Sequence, residues 1–139
     1  MWKYYALLSA LFAALTALLA KCGVRGINSH LATAIRTTVV VLLTWGIVLG
    51  TGAGARIREL TGRNLLFLVL SGLATGASWL CYFKALQTGE VSKVAPIDKL
   101  SVVIVVVFGI LFLHEKFSWQ AAVGTVCITA GSILLLHGQ

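Results

Sequence analysis

A chain of 139 residues that is 59% hydrophobic and only 11% charged falls far from the composition of a water-soluble domain, where roughly a quarter of residues are charged. With a mean hydropathy of +0.98, a soluble fold is excluded. The net charge of +7 does not point to nucleic acid, because the basic residues stand singly in loops or at helix ends rather than in a run or along one face.

Five long apolar stretches follow one another. The first, residues 2–20, could mimic a signal peptide after Met1 and Lys3, but Leu18 spoils a cut after Ala20 and the segment reads as a retained helix. A loop over 21–30 carries Gly23 and Gly26, and the second helix is expected over 31–49. Residues 50–64, rich in Gly and Arg, are the most loop-like part of the chain. The third helix is expected over 65–86, a turn at 87–90 contains Gly89, and the fourth helix is expected over 91–113. A polar turn at 114–116 leads to the fifth, over 118–136. At 1.5 Å per residue each span covers about 28 Å or more, enough for the hydrocarbon core. The fold class is thus an all-α membrane protein of five transmembrane helices in one domain, residues 1–139.

An odd number of spans places the two chain ends on opposite sides of the bilayer, so an antiparallel partner is topologically natural. Lys3, Arg56, Arg58, Arg63 and Lys116 flank one side, and Lys21, Arg25, Arg36, Lys84, Lys93 and Lys99 the other, five against six. Without Arg36, Lys84 and Lys99, which fall within helix ends, the count is five against three. So weak a bias permits insertion in both orientations, while the Arg-rich second loop taken alone would hold the N-terminus inside.

Polar residues within spans face protein or water rather than acyl chains. In the third helix Ser71, Thr75, Ser78 and Tyr82 are spaced four, three and four residues apart and form one face. Gly72, Gly76 and Trp79 run beside it, the glycines as a GxxxG that lets another backbone approach. This stripe reads either as a helix contact sealed by hydroxyls or as the wall of a substrate cavity, with Trp79 and Tyr82 offering aromatic surface. The second helix carries Thr33, Arg36, Thr37 and Thr44 on one side. Thr125, Thr129 and Ser132 of the fifth, with neither charge nor aromatic among them, read as packing.

Arg36 lies about 8 Å into the second helix, and Asp98 and Lys99 about 10–12 Å into the fourth. Charge at the bilayer centre costs at least about 2.5–3.5 kcal/mol, so an Arg36–Asp98 salt bridge is expected. Lys99, about 100° further around the helix, is left for an anionic group or for the interface. Asp98, Ser101, Val105, Gly109 and Phe112 form an inward face. Pro96 either kinks the fourth helix or begins it, and discontinuous helices near polar clusters are where transporters bind substrate.

Nothing in the chain reads as catalytic. His30, His114 and His137 have no nucleophile beside them at a readable spacing, and Glu59, Glu90 and Glu115 are loop acids. Cys22, Cys81 and Cys127 show no paired spacing for a disulfide or metal site. No enzyme activity and no cofactor are expected.

The run Lys84-Ala85-Leu86-Gln87-Thr88-Gly89, then Val94-Ala95-Pro96-Ile97-Asp98-Lys99-Leu100-Ser101, then an apolar stretch to Phe112-Leu113-His114-Glu115 resembles the EamA domain of the drug/metabolite transporter superfamily. Trp119, Gly124, Gly131-Ser132 and the early Leu18, Ala20 and Lys21 fit the same pattern, so the resemblance covers nearly the whole chain. It implies one five-helix repeat, half of a ten-helix inverted-repeat transporter, completed by dimerisation. The family's mid-helix proline, near Ser101 and Val102, is absent here, and Pro96 stands earlier. The expected function is export of small metabolites or amphiphilic compounds across the inner membrane by alternating access in an antiparallel homodimer, with no nucleic-acid partner. Ser71, Thr75, Ser78, Trp79 and Tyr82 are the expected substrate contacts, and Arg36, Asp98, Lys99 and Pro96 the gate or coupling cluster. The rivals are a non-transporting membrane subunit, and a lipid flippase in which Arg36 and Lys99 receive a phosphate head group.

Overall fold

The computed structural model describes residues 1–114, 116 and 118–137; Glu115, read above as a loop acid, lies outside the described residues. The chain is all-α: α1 is Trp2–Gly23, α2 Ser29–Gly50, α3 Gly62–Thr88, α4 Val91–Asp98, α5 Ser101–Phe112 and α6 Trp119–His137. No strand occurs among the described residues. Five stretches are long and apolar enough to cross a membrane, with α4 and α5 together forming the fourth, Val91–Phe112.

Three boundaries differ from the sequence reading. The first loop is shorter than expected, because Asn28 caps α2: its side chain accepts from the His30 N–H at 2.8 Å, which satisfies a donor that the helix itself leaves without a partner. The second loop is not structureless; residues Ala53–Glu59 form a 3₁₀ helix. It is launched by Gly52 at φ 69°, a conformation a side chain would strain. The fourth helix is broken rather than continuous. Pro96 sits inside α4, so the reading in which it opens the helix does not hold. The break falls at Lys99 and Leu100, where the Lys99 and Leu100 N–H groups reach back three residues, to the Pro96 and Ile97 carbonyls at 3.1 and 2.9 Å. Bonds of that span tighten the backbone into a 3₁₀-like turn.

The chain divides into two compact units, one of Met1–Leu19 with Thr88–Gln139 and one of Ala20–Gln87. In the first, α6 packs on α4 and α5. Ser132 of α6 is buried. Its hydroxyl lies 3.0 Å from the Pro96 carbonyl and 2.8 Å from that of Ile128 in its own helix. A lone hydroxyl among apolar side chains is stable there because it has these acceptors. The packing role read for Ser132 thus has a specific target, the backbone just before the break.

In the second unit the small core is Val24, Ser29, Ala32, Thr33, Phe83 and Leu86. The α1–α2 loop is tied to the end of α3 by polar contacts. Gln87 Nε2 donates to the Ile27 carbonyl at 2.6 Å, and Lys21 Nζ donates to the Leu86 carbonyl. Elsewhere the helices leave large apolar side chains exposed along their lengths, Leu42, Leu73 and Leu134 among them. That is the surface of a span solvated by lipid or by another helix.

Replacing Ser132 by Ala removes the hydroxyl from a buried backbone carbonyl and is expected to cost about 1 kcal/mol. Thermal unfolding of the purified protein in detergent should show a lowered Tm for Ser132→Ala and an unchanged one for Ser101→Ala, whose side chain is exposed.

Candidate functional site

Arg36 lies seven residues beyond Ser29, the first residue of α2, or about 10 Å along the helix axis. Its guanidinium carbon stands 4.0 Å from the centroid of the Trp79 ring and 5.4 Å from that of Phe83. Both rings belong to α3, so the two helices are joined by a cation held on two aromatic faces. Such a pairing is worth about 0.5–1 kcal/mol when exposed and about 2 when desolvated; half-buried Arg36 falls between. Among the described residues of the Ala20–Gln87 unit, Arg36 forms no ion pair and donates no hydrogen bond.

Trp79 links this cation to the α3 stripe. Thr75 lies one turn before it and Tyr82 three residues after, so both flank it on the helix surface. Ser71, Thr75 and Ser78 are exposed, and Trp79 and Tyr82 half-buried. The buried residues of α3 are Phe83 and Leu86, both near its C-terminal end. The Thr75 hydroxyl donates to the Ser71 carbonyl at 2.8 Å, one turn back. Thr33, Thr37 and Thr44 of α2 do the same to the carbonyls of Ser29, Thr33 and Val40. These hydroxyls are satisfied on their own helices and do not seal a contact with a neighbour. A side chain built at Gly72 or Gly76 would meet nothing within 4 Å, so among the described residues of this unit no neighbouring helix occupies that GxxxG.

A groove of about 420 Å³ opens between α2 and α3. Its walls are His30, Thr33, Ala34, Thr37, Thr38, Val41 and Leu42 with Gly76 and Leu80. The stripe hydroxyls and Arg36 are not part of it. Threonine and alanine spacing on α2 carried a faint signal for this groove. Which flank of α3 it would open against depends on how the two helices are rotated, which spacing within one helix does not encode.

Arg36 belongs to the Ala20–Gln87 unit, where its neighbours are rings, and Asp98 to the other unit. Asp98 faces Lys99, at 3.7 Å from carboxylate oxygen to ammonium, with both side chains about half exposed. α4 ends at Asp98, at the break, with Lys99 as its C-cap residue. The same break disrupts the inward face read for this helix, on which Gly109 is buried but Ser101, Val105 and Phe112 are exposed.

Exposed apolar spans, a broken fourth helix and a cation held on rings between two of the spans define a multi-pass membrane protein with polar features of the kind transporters use. The chain belongs to the EamA-like transporter family, whose model matches residues 1–137. It is similar to a protein of Sinorhizobium sp. described as an uncharacterized transporter in the cobO 3' region, at 54% identity over 134 residues, which cover 96% of this chain and 95% of that one. No solved structure matches it.

Substituting Arg36 by Met and Trp79 by Leu, singly and together, isolates the cation–ring term. A coupling energy of about 1 kcal/mol is expected from unfolding in detergent, and Trp79→Phe should retain most of it.

Proposed function

We propose that this chain is an inner-membrane transporter of small metabolites or amphiphilic compounds, working in export by alternating access as an antiparallel homodimer. The observation that carries the reading is the face of α3 on which exposed Ser71, Thr75 and Ser78 run beside half-buried Trp79 and Tyr82, in a helix with no buried residue before Phe83. Hydroxyls exposed in a membrane span call for protein or solute against them. In this reading those residues and Trp79 contact substrate.

Two further features support a second copy as the missing partner. The five spans put the chain ends on opposite sides, so a partner of inverted orientation supplies the inverted-repeat arrangement of many transporters. The open Gly72–Gly76 pair gives that partner a place of close approach. Pro96 and the break at Lys99 and Leu100 are the hinge. Asp98 and Lys99 beside it are the gate: an ion pair about half exposed can be exchanged for water or a coupling ion at small cost.

The rival is a non-transporting subunit, in which the α3 face is purely a contact for a larger complex. Two experiments separate these. Paired reporters fused at the C-terminus, one active only inside and one only outside the cell, should both give signal; signal on one side alone removes the self-paired antiparallel model. Trp79→Ala and Tyr82→Ala should reduce flux in proteoliposomes at least about tenfold while the dimer, measured by cross-linking, persists. Loss of assembly together with flux favours the subunit reading.

A further inference from the structure

Eight charged residues lie within the five candidate spans: Lys3, Lys21, Arg36, Arg63, Lys84, Lys93, Asp98 and Lys99. Seven are basic and one is acidic, a sum of +6, and the acid faces Lys99. A site for organic cations needs an embedded carboxylate to attract the charge, and the one carboxylate among these residues lies beside the Lys99 ammonium, whose like charge opposes a second cation. The span cation that two aromatic rings hold in place is Arg36.

A guanidinium carries five N–H donors in a planar fork matched to a carboxylate or phosphate. In a membrane span such a group ordinarily finds an acid or a backbone carbonyl, or extends to the interface. Among the described residues of its own unit, Arg36 does neither. It is held back on Trp79 and Phe83, and rings neutralise none of its charge and supply no oxygen acceptor. The aromatic pair fixes its position, which lowers the entropic cost of binding a ligand there. The α3 surface leading away from it offers Trp79, then Thr75, Ser78 and Tyr82, a strip with both ring faces and hydroxyls.

From this we infer that the substrate is an anion: an oxyanion, carboxylate or phosphate, bound to Arg36, with an apolar or aromatic body lying along Trp79 and Tyr82. The inference rests on the transporter reading for its biological sense, but the binding it requires is measurable without transport. The oxyanion belongs either to a small metabolite or to a lipid head group, and the two are told apart below.

The test uses purified full-length protein in a neutral detergent, with 1-naphthoate and 1-naphthyl phosphate as anionic probes and 1-naphthamide as the uncharged probe of the same ring. Binding is followed by calorimetry and by tryptophan fluorescence. Both anions should bind at least about tenfold more tightly than the amide. Arg36→Gln should erase that preference while leaving the weak amide binding, which also reports that the variant is folded. Equal binding of anions and amide to the wild type, or a preference that survives Arg36→Gln, overturns the inference.

Phosphatidylglycerol is then added as a competitor. Displacement of naphthoate at low lipid, together with copurification of the lipid with wild type and not with Arg36→Gln, assigns the oxyanion to a lipid. Absence of displacement assigns it to a soluble anion. Flux of naphthoate in proteoliposomes separates the two levels of the argument. Anion-selective binding without flux supports the site and removes the transporter reading, whereas flux of the amide equal to that of naphthoate keeps the transporter and removes the anion.

Discussion

Within lipid no backbone carbonyl can turn to water, and that constraint decides where this chain spends its hydroxyls. Thr33, Thr37, Thr44, Thr51, Thr75, Thr125 and Thr129 each donate to a carbonyl four residues back in their own helix. The break after Pro96 is the harder case, since α4 ends there and its last carbonyls lose the regular helical donors. Two short-range backbone bonds, to the Pro96 and Ile97 carbonyls, and the Ser132 hydroxyl from α6 serve them. Without these bonds a broken fourth helix would expose its backbone to hydrocarbon, and the hinge proposed for transport would have no stable resting form.

The second unit depends on polar contacts of a different kind. Its core is small, and the loop from α1 to α2 is held by Gln87 and Lys21 rather than by apolar packing alone. Higher up, Arg36 on Trp79 and Phe83 joins α2 to α3. Both devices place a charged or amide side chain where an all-apolar contact would distinguish poorly between lipid and protein, since lipid tails are as apolar as leucine. Polar groups therefore give these helix pairs a defined register, and apolar groups give them solubility in the bilayer.

Spans and fold class were legible because they follow from composition over long windows, where 59% hydrophobic residues leave few alternatives. Ser132 was legible as a packing residue, since its face lacks charge and rings. The Asn28 cap carried a local signal, an amide side chain just before an apolar run, that length-based reading passed over. The seat of Arg36 on Trp79 and Phe83 was not legible. It requires the rotation of each helix about its own axis, and one sequence does not contain it. The place of the break, with Lys99 as the C-cap of α4, was not legible either, since only Pro96 marked it in the sequence.

The Ser132 hydroxyl has one proton and two carbonyls within reach, that of Pro96 at 3.0 Å and that of Ile128 at 2.8 Å. The Pro96 carbonyl also accepts from the Lys99 N–H at 3.1 Å. Moving α4 away from α6 therefore strands neither group. The hydroxyl swings to its own helix, and the carbonyl keeps its backbone donor. The joint works like a latch with a parking position: it holds when closed, and when it opens each half already has somewhere to go.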